Sequence, residues 1–189
     1  MRIVQIIDSL DAGGAEKMAV NYANELSNKI AFSGLVVSRS QGQLINQLDK
    51  KVNYLYLNKK RTIDVLAIYK LVKFVKKNKI EIVHAHSTSF FLGFLIKIFV
   101  PSLKLIWHDH YGDSDFLHKR PATILLFIIR FYDGAIVVNN KLELWAKNKL
   151  NAKNIIYLPN FPSEEFATNS KTVLKGTSGK RIEIGRAHV

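Results

Sequence analysis

Apolar runs and helical spacing alternate along most of this chain. Short aliphatic runs predict strands, and these lie at residues 2–7, 32–38, 53–57, 81–84, 103–107, 134–138 and 154–158. Between them, apolar residues recur three and four positions apart, which predicts helices over 14–28, 43–49, 63–78, 88–99, 121–132 and 141–149. Because most strands are apolar on both faces, the pattern predicts an α/β fold, a Rossmann-like doubly wound parallel sheet covered by helices on both sides.

The alternating pattern changes near residue 162, which predicts two regions. Residues 1–162 form one Rossmann-like domain in this interpretation. Residues 163–189 begin with a linker rich in Ser, Thr, Lys and Glu, and KRI at 180–182 predicts the first strand of a second, missing domain. The final EIGRAHV resembles a translated sequencing adapter, so we expect residues 183–189 to be artefactual and to carry no functional information.

Polar residues gather where three predicted strands end. Right-handed crossovers place the first strand beside the fourth, and ligands of such sheets bind beyond the carboxyl ends of the strands, where the strand order switches. The residues predicted to converge there are Gly13, Gly14, His84, His86, Ser87, His108, Asp109 and His110.

Gly13 and Gly14 open the first predicted helix, where two explanations compete. Glycine lets backbone N–H groups approach a phosphate closely, and a helix N-terminus favours an anion. A plain tight turn is the alternative. The pair matches neither GxGxxG nor a P-loop ending in GK[ST], which argues against a classical NAD domain.

The histidines recur with a spacing of two. His84 and His86 point to the same face if their strand continues, and His108 and His110 share that spacing. A metal site is one interpretation, but no HExxH motif accompanies the histidines, and we predict none. His108 and Asp109 at a crevice suit contact with sugar hydroxyls or with a reacting centre, and a structural strand end is the alternative.

Positive charge is concentrated between Arg39 and Lys79. The chain has a net charge of +13, and this segment holds eleven Lys and Arg against two Asp. That balance suits an anionic membrane, a nucleic acid or a phosphorylated ligand, and a solubilising surface is the alternative. The predicted helix over 63–78 carries two stripes, an apolar one and a basic one: Val65, Ile68, Tyr69, Val72 and Val75, then Lys70, Lys73 and Lys77.

Composition narrows the classes further. The absence of cysteine excludes disulfides and cysteine-based zinc sites, and suits a reducing compartment. No secretory signal is visible, and the two longest apolar stretches are interrupted by charges and turn residues. Aromatic residues lie within apolar runs, so no nucleic-acid stacking platform is predicted. We expect a cytoplasmic protein, with peripheral contact through the basic stripe to the inner face of the plasma membrane.

Four stretches carry a family resemblance: IIDSLDAGGAEKMAVNYANELS, EIVHAHS, IWHDHYG and NIIYLPNFP. In their order and spacing they resemble the N-terminal domain of family 4 retaining glycosyltransferases of the GT-B fold. The resemblance extends from about residue 2 to 162. The C-terminal features of that family, a basic pair and an E-x7-E motif that grip the donor, are not in this sequence.

The resemblance implies two Rossmann-like domains facing across a cleft, with the acceptor mainly on the N-terminal one and a nucleotide sugar mainly on the other. It implies these roles: Gly13 and Gly14 by the donor diphosphate, His108 with Asp109 at the transferred sugar, His86, Ser87 and His110 on the acceptor side, and Asn160 at the domain crossing. It implies no metal and no cofactor apart from the donor substrate.

Two hypotheses of different classes follow. The first is a retaining, hexosyltransferase-type enzyme of polysaccharide biosynthesis that acts on a polysaccharide or lipid-linked acceptor and is inactive as this truncated chain. The second is a free-standing Rossmann-like module that binds an anionic partner. A weaker third interpretation is a metal-dependent hydrolase built on the histidines.

Overall fold

A computed structural model describes residues 1–150 and 152–161. In this part of the chain one seven-stranded sheet forms the centre of the molecule. Its strands are β1 (Arg2–Ser9), β2 (Phe32–Ser40), β3 (Asn53–Tyr56), β4 (Ile82–His86), β5 (Lys104–Asp109), β6 (Gly134–Val137) and β7 (Ile155–Tyr157). Residues 163–189, predicted as a linker and the start of a second domain, lie outside the described residues.

The strand order is β3-β2-β1-β4-β5-β6-β7, and every neighbouring pair is parallel. The predicted neighbours β1 and β4 pair directly, with Gln5 opposite His84. The order reverses between these two strands, so the switch point of a doubly wound sheet lies there. The predicted Rossmann-like α/β class is confirmed.

Five helices connect the strands: α1 (Gly14–Ser27), α2 (Val65–Lys77), α3 (Phe90–Phe99), α4 (Thr123–Ile128) and α5 (Asn140–Trp145). The predicted helix over 43–49 is a short 3-10 segment, Gln43–Gln47. Two predicted helices are shorter than expected as α-helices. The chain continues from α4 as the 3-10 turn Ile129–Phe131 and from α5 as the π-helix Ala146–Leu150.

The sheet separates two apolar cores. Leu35 and Val37 of β2 pack with Ala19, Val20 and Ala23 of α1 on one face. The larger core on the other face joins β1, β4 and β5 to the remaining helices, and includes Val83, Leu71, Ile96, Trp107 and Ile128. Successive strand residues alternate between these cores, as pleated strands require.

The sequence prediction was wrong about where β4 and β5 end. Both strands run two residues further, so His86 pairs with His108 inside the ladder and Asp109 pairs with Val137 of β6. Polar residues indicated a loop in the sequence, but hydrogen bonding to two neighbouring strands keeps this backbone extended. His108 and Asp109 consequently point to opposite faces of the sheet.

The predicted apolar stripe of α2 was also partly wrong. Val65 and Tyr69 are exposed, while Ala67, Leu71 and Val75 face the core. The buried face of α2 belongs to the larger core, and the helix packs there beside α3. Among the described residues, no helix combines the length and the apolar character needed to cross a bilayer.

Gly42 packs directly against the backbone of the loop after β1. Its φ is +49°, a left-handed conformation that favours glycine, and a Cβ there would meet the backbone of Leu10 and Asp11 at 2.0–2.2 Å. Hydrogen bonds between backbone groups fix the same contact, from Leu10 N–H to Ser40 and from Leu44 N–H to Leu10. Gly42 thus sets the position of the chain that leads to Gly13.

We predict that Gly42→Ala destabilises the fold by at least about 2 kcal/mol, because it combines left-handed strain with a clash against backbone. Gly112→Ala is the matched control, since a Cβ at Gly112 meets nothing within 4 Å. Urea denaturation of both variants measures the difference. Equal free energies of unfolding for the two variants would contradict the close approach at Gly42.

Candidate functional site

The loop after β1 ends in bare backbone at the N-terminus of α1. Gly13 is the N-cap of this 14-residue helix, in extended conformation, and has no side chain with which to cap it. A Cβ on Gly13 would lie 2.2 Å from the carboxylate of Glu16, which folds back over the first turn. Burial raises the pKa of Glu16, with repulsion from Asp11 and Asp8 adding to the effect. A hydrogen bond from its own backbone N–H opposes this shift, so the Glu16 carboxylate itself lies at the helix end, where the dipole favours an anion such as a phosphate.

The end of the described chain returns to this loop. A Cβ on Gly14 would lie 3.9 Å from the side-chain nitrogen of Asn160. One residue further on, the Phe161 carbonyl accepts a hydrogen bond of 3.1 Å from Asn21, and its ring lies 5.2 Å from that of Tyr22. Gly14 and Asn160, which sequence placed 146 positions apart in separate roles, are therefore neighbours.

Four histidines form a compact cluster on the α1 face of the sheet. The ring centroids of His84 and His108 are 5.2 Å apart and their planes differ by 4°, and His110 stacks on His108 at 3.9 Å. Tyr22 of α1 closes the cluster, with its ring 5.1 Å from His84. His84, His86 and His108 are buried, so His110 is the member at the accessible edge.

Hydrogen bonds assign the protons of two histidines. The Nε2 of His86 lies 2.9 Å from the side-chain oxygen of Gln5, which only accepts, so Nε2 donates. In a neutral His86 ring, Nδ1 must then be the acceptor. It accepts a hydrogen bond of 3.1 Å from the Nε2–H of His110. The Nδ1 of His110 and both nitrogens of His108 have no partner among the described residues.

Burial keeps the cluster neutral. It lowers the pKa of His84 to about 3 and that of His110 to about 4, and it lowers the pKa values of His86 and His108 as well. Mutual repulsion between the rings acts in the same direction for three of them. Neutral imidazoles beside a ligand accept or donate hydrogen bonds without bringing charge.

His84, His86 and His108 could each offer one nitrogen to a metal ion, and these atoms lie within 4.8 Å of one another. The rings of His84 and His108 are nearly parallel, at 4°, which directs their nitrogens side by side rather than toward one point. Metal-bound histidines also normally fix the second nitrogen by a hydrogen bond, which His108 lacks in the described part of the chain. The prediction that no metal binds here stays a prediction.

Asp109 lies on the opposite face of β5 from His108. Its carboxylate accepts hydrogen bonds from both terminal nitrogens of Arg120, at 2.6 and 2.9 Å, and from the Tyr111 N–H, at 3.1 Å. Burial raises the pKa of Asp109, and Arg120 opposes that shift. The guanidinium also lies over the rings of Tyr111 and Trp145, at 4.3 and 4.5 Å. In this geometry Asp109 anchors Arg120 and does not reach the histidine face.

Ser87 follows β4 with a φ of +48°, and its interaction with the neighbouring strand is made by its backbone. Its carbonyl accepts a hydrogen bond of 3.0 Å from the indole of Trp107. The next residue, Thr88, donates to Asp8 at 2.6 Å. This sharp turn brings the loop after β4 against the end of β1.

Sequence reasoning missed a polar group on the other side of this edge. Asp8, at the end of β1, accepts hydrogen bonds from Ser38 and Thr88 and lies 3.9 Å from Arg39. Asp8, Arg39 and Thr88, with Lys59, border a cavity of about 710 Å³. The signal in the sequence was the last charged residue of each strand, Asp8 in β1 and Arg39 in β2, at the edge where the other candidates were placed.

We predict that the free energy of unfolding decreases as pH falls below about 6.5. The folded-state pKa values of the cluster lie below the unfolded value of roughly 6.5, so the unfolded chain binds more protons between that pH and about 4. His84→Phe keeps an aromatic ring against Tyr22 but removes one titrating group. The slope of stability against pH in this range should then decrease by up to about 1.4 kcal/mol per pH unit.

His118→Phe is the matched control, because His118 is exposed and lies outside the cluster. Urea denaturation at several pH values between 4 and 7.5 gives the slopes. An unchanged slope in His84→Phe would show that His84 is not held neutral by burial.

Comparisons with known proteins identify the fold and the family of this chain. A search of curated proteins found no match. The crystal structure of Anabaena Alr3699/HepE in complex with UDP superposes with a TM-score of 0.59 at 16% identity, over 83% of this chain and 44% of that one. This chain therefore spans less than half the length of that protein. The family model described as Glycosyltransferase Family 4 matches residues 12–163, and the chain belongs to that family.

Proposed function

We propose that this chain is the acceptor-side half of an enzyme that transfers a sugar from a nucleotide sugar to a polysaccharide or lipid-linked acceptor. The observation that carries the proposal is the uncapped N-terminus of α1 at Gly13 and Gly14, beside Asn160 and the histidine cluster. Anabaena HepE, which has the same fold, binds UDP, and that supports a nucleotide as the donor group here.

The donor diphosphate lies against Gly14 in this proposal. Backbone N–H groups of the first helical turn have no intrahelical acceptors, and the dipole of the 14-residue helix favours negative charge. Neither glycine carries a side chain, so a diphosphate held largely by a second domain can approach the backbone once the Glu16 carboxylate moves aside. This chain spans less than half the length of the HepE chain that it matches, and we expect these 189 residues alone to have no transferase activity.

His108 contacts the transferred sugar in this proposal, and His86, Ser87 and His110 line the acceptor side. His108 lies beneath His110 in the structure, so the sugar meets His110 first and reaches His108 only if that ring moves aside. Asp109 acts from the opposite face by fixing Arg120. Comparing His110→Ala with His108→Ala in sugar transfer separates the two roles.

We propose a retaining, hexosyl-type transfer without a metal or other cofactor. The donor phosphate assists both departure of the nucleotide and attack of the acceptor on the same face of the sugar. Neutral histidines at the edge supply hydrogen bonds to the sugar, because their lowered pKa values keep them uncharged at neutral pH. Transfer that persists in excess chelator, with retained anomeric configuration by NMR, supports this mechanism.

The complete open reading frame that contains this sequence provides the test. With Gly14→Asp, the KM for the nucleotide sugar should rise at least about tenfold, because a carboxylate occupies the phosphate position and repels it. The fold should be unharmed, since an acidic residue in the first turn of a helix is favourable. Gly14→Ala is the control, because its methyl group meets only Asn160, at an ordinary 3.9 Å.

Two results would contradict the proposal. One is an unchanged KM in Gly14→Asp, which removes the diphosphate from this loop. The other is a complete reading frame whose purified product transfers no sugar from any of the common nucleotide sugars, which favours the alternative of a binding module for an anionic partner.

We also propose that α2 contacts an anionic membrane from the cytoplasmic side. Lys70, Lys73 and Lys77 are exposed on this helix. Leu66 and Tyr69, 74% and 63% exposed, lie on the same helix without a covering element. Exposed cations beside exposed apolar side chains are the combination that binds an anionic lipid surface.

We expect the chain to sediment with vesicles containing phosphatidylglycerol, and Lys70, Lys73 and Lys77→Glu together to abolish that binding. The matched control changes three exposed lysines elsewhere, Lys50, Lys104 and Lys153, to Glu. If both triple variants lose binding equally, net charge and not α2 is responsible. Absence of binding by the parent chain would remove the membrane proposal.

A further inference from the structure

A large apolar cavity opens at the same sheet edge as the candidate donor loop, on the opposite face. Its volume of about 710 Å³ falls within the roughly 300–1,000 Å³ of typical ligand pockets. The cavity lies between α3 and α4, and its apolar walls include Phe90, Phe91, Leu92, Ile124 and Leu125.

The polar end of the cavity contains unpartnered groups. Lys59 lines it and is only 7% exposed. Among the described residues, its ammonium group forms no hydrogen bond and no ion pair within 4.0 Å. Ser89 lines the same cavity at 1% exposure, and its hydroxyl also lacks a partner in the described part of the chain. A buried hydroxyl such as that of Ser89 is costly unless a ligand satisfies it, and the Lys59 ammonium of the same cavity is free to bind an anion.

The backbone holds Lys59 in this position. Its N–H donates to Ser38 at 2.7 Å, and the next N–H, that of Lys60, donates to the Asp64 side chain at 3.0 Å. Burial lowers the pKa of Lys59, and the nearby Arg39 lowers it further against the weaker opposing effects of Asp8 and Asp64. Such a cation gains more from an incoming anion than an exposed lysine would.

Asp8 does not neutralise this end of the cavity. Its two oxygens accept hydrogen bonds from the hydroxyls of Ser38 and Thr88, and Arg39 lies 3.9 Å away. Two cations therefore face the cavity against one carboxylate that is already hydrogen-bonded. Arg120, which also lines the cavity, is paired with Asp109.

We propose that this cavity binds the hydrocarbon chain of a single-chain lipid phosphate, with the phosphate on Lys59 and Arg39. This inference rests on the proposed function, because it assigns the acceptor to the lipid-linked class. The occupant follows from charge complementarity at the polar end and from a cavity whose volume suits one chain. A sugar on that phosphate lies at the carboxyl edge of the sheet, where Thr88 and Tyr111 border the cavity.

Exposed apolar side chains continue from the cavity on two sides. Ile63, 60% exposed, follows the lining residue Thr62, and Ile124, 64% exposed, is itself a lining residue. A chain longer than the cavity can pass over these residues toward a bilayer. This arrangement lets the lipid enter without leaving apolar surroundings.

Calorimetric titration of the 189-residue chain with farnesyl phosphate, below its aggregation concentration, tests the inference. Three compounds are compared with it: farnesol has the chain without the phosphate, inorganic phosphate has no chain, and dihexanoyl phosphatidic acid has a phosphate on two chains. We expect farnesyl phosphate to bind at least about tenfold more tightly than each of them, because only it offers one chain and a phosphate.

Lys59→Gln should weaken farnesyl phosphate binding about tenfold and leave farnesol binding unchanged. Lys104→Gln, the same change at the amino end of β5, is the matched control. Thr123→Trp, at an exposed lining position, should weaken both ligands by filling the cavity. Thermal unfolding monitored by circular dichroism checks that each variant is folded.

Three results would overturn the inference: no binding of farnesyl phosphate, equal affinity in folded Lys59→Gln, or tighter binding of the two-chain phosphatidic acid. Failure here leaves the sugar-transfer proposal standing if the complete protein still shows the Gly14→Asp effect. Conversely, lipid phosphate binding without any sugar transfer keeps this cavity as a site and removes the enzyme proposal.

Discussion

The parallel hydrogen-bond ladder between β1, β4 and β5 is the constraint on which the rest of the structure depends. It brings Gln5 opposite His84 and His86 opposite His108. Because all strands run in one direction, their carboxyl ends meet at one edge, and the loops that follow them are adjacent. The histidine cluster, the loop at Gly13 and the polar end of the cavity are all consequences of this register.

The two faces of that edge have different chemistry. On the α1 face, a helix N-terminus and neutral histidines meet, an environment suited to a diphosphate and a sugar. On the other face, the buried cation Lys59 stands at the end of an apolar cavity. In the two proposals, the donor diphosphate lies on the α1 face and the lipid phosphate in the cavity, and the acceptor sugar crosses the ends of β1 and β4 to reach the histidines.

Much of this arrangement could be predicted from the sequence. Aliphatic runs such as RIVQII predict where the strands lie, and the preference for right-handed crossovers then predicts that β1 neighbours β4, as the structure shows. The convergence of the polar loops followed from that order. The ends of β4 and β5 could not be predicted, because His86, His108 and Asp109 remain extended only through pairing with neighbouring strands.

The partners of individual side chains could not be predicted from the sequence either. The pairing of Asp109 with Arg120, eleven positions later in a polar loop, depends on aromatic rings of Tyr111 and Trp145 that come together only in the folded chain. Lys59 looked like one of many surface lysines. Its burial results from packing of the loop before α2 against β2, a long-range contact that periodicity does not encode.

Hydrogen–deuterium exchange tests most directly whether ligands bind at the carboxyl edge, with farnesyl phosphate added to this chain and UDP added to the product of the complete open reading frame. We predict slower exchange at residues 10–17 with UDP and at 58–62, 87–92 and 120–125 with farnesyl phosphate. The amino edge, including residues 78–82 and 101–105, should be unchanged. Protection confined to the amino edge, or to the exposed face of α2, would contradict the account.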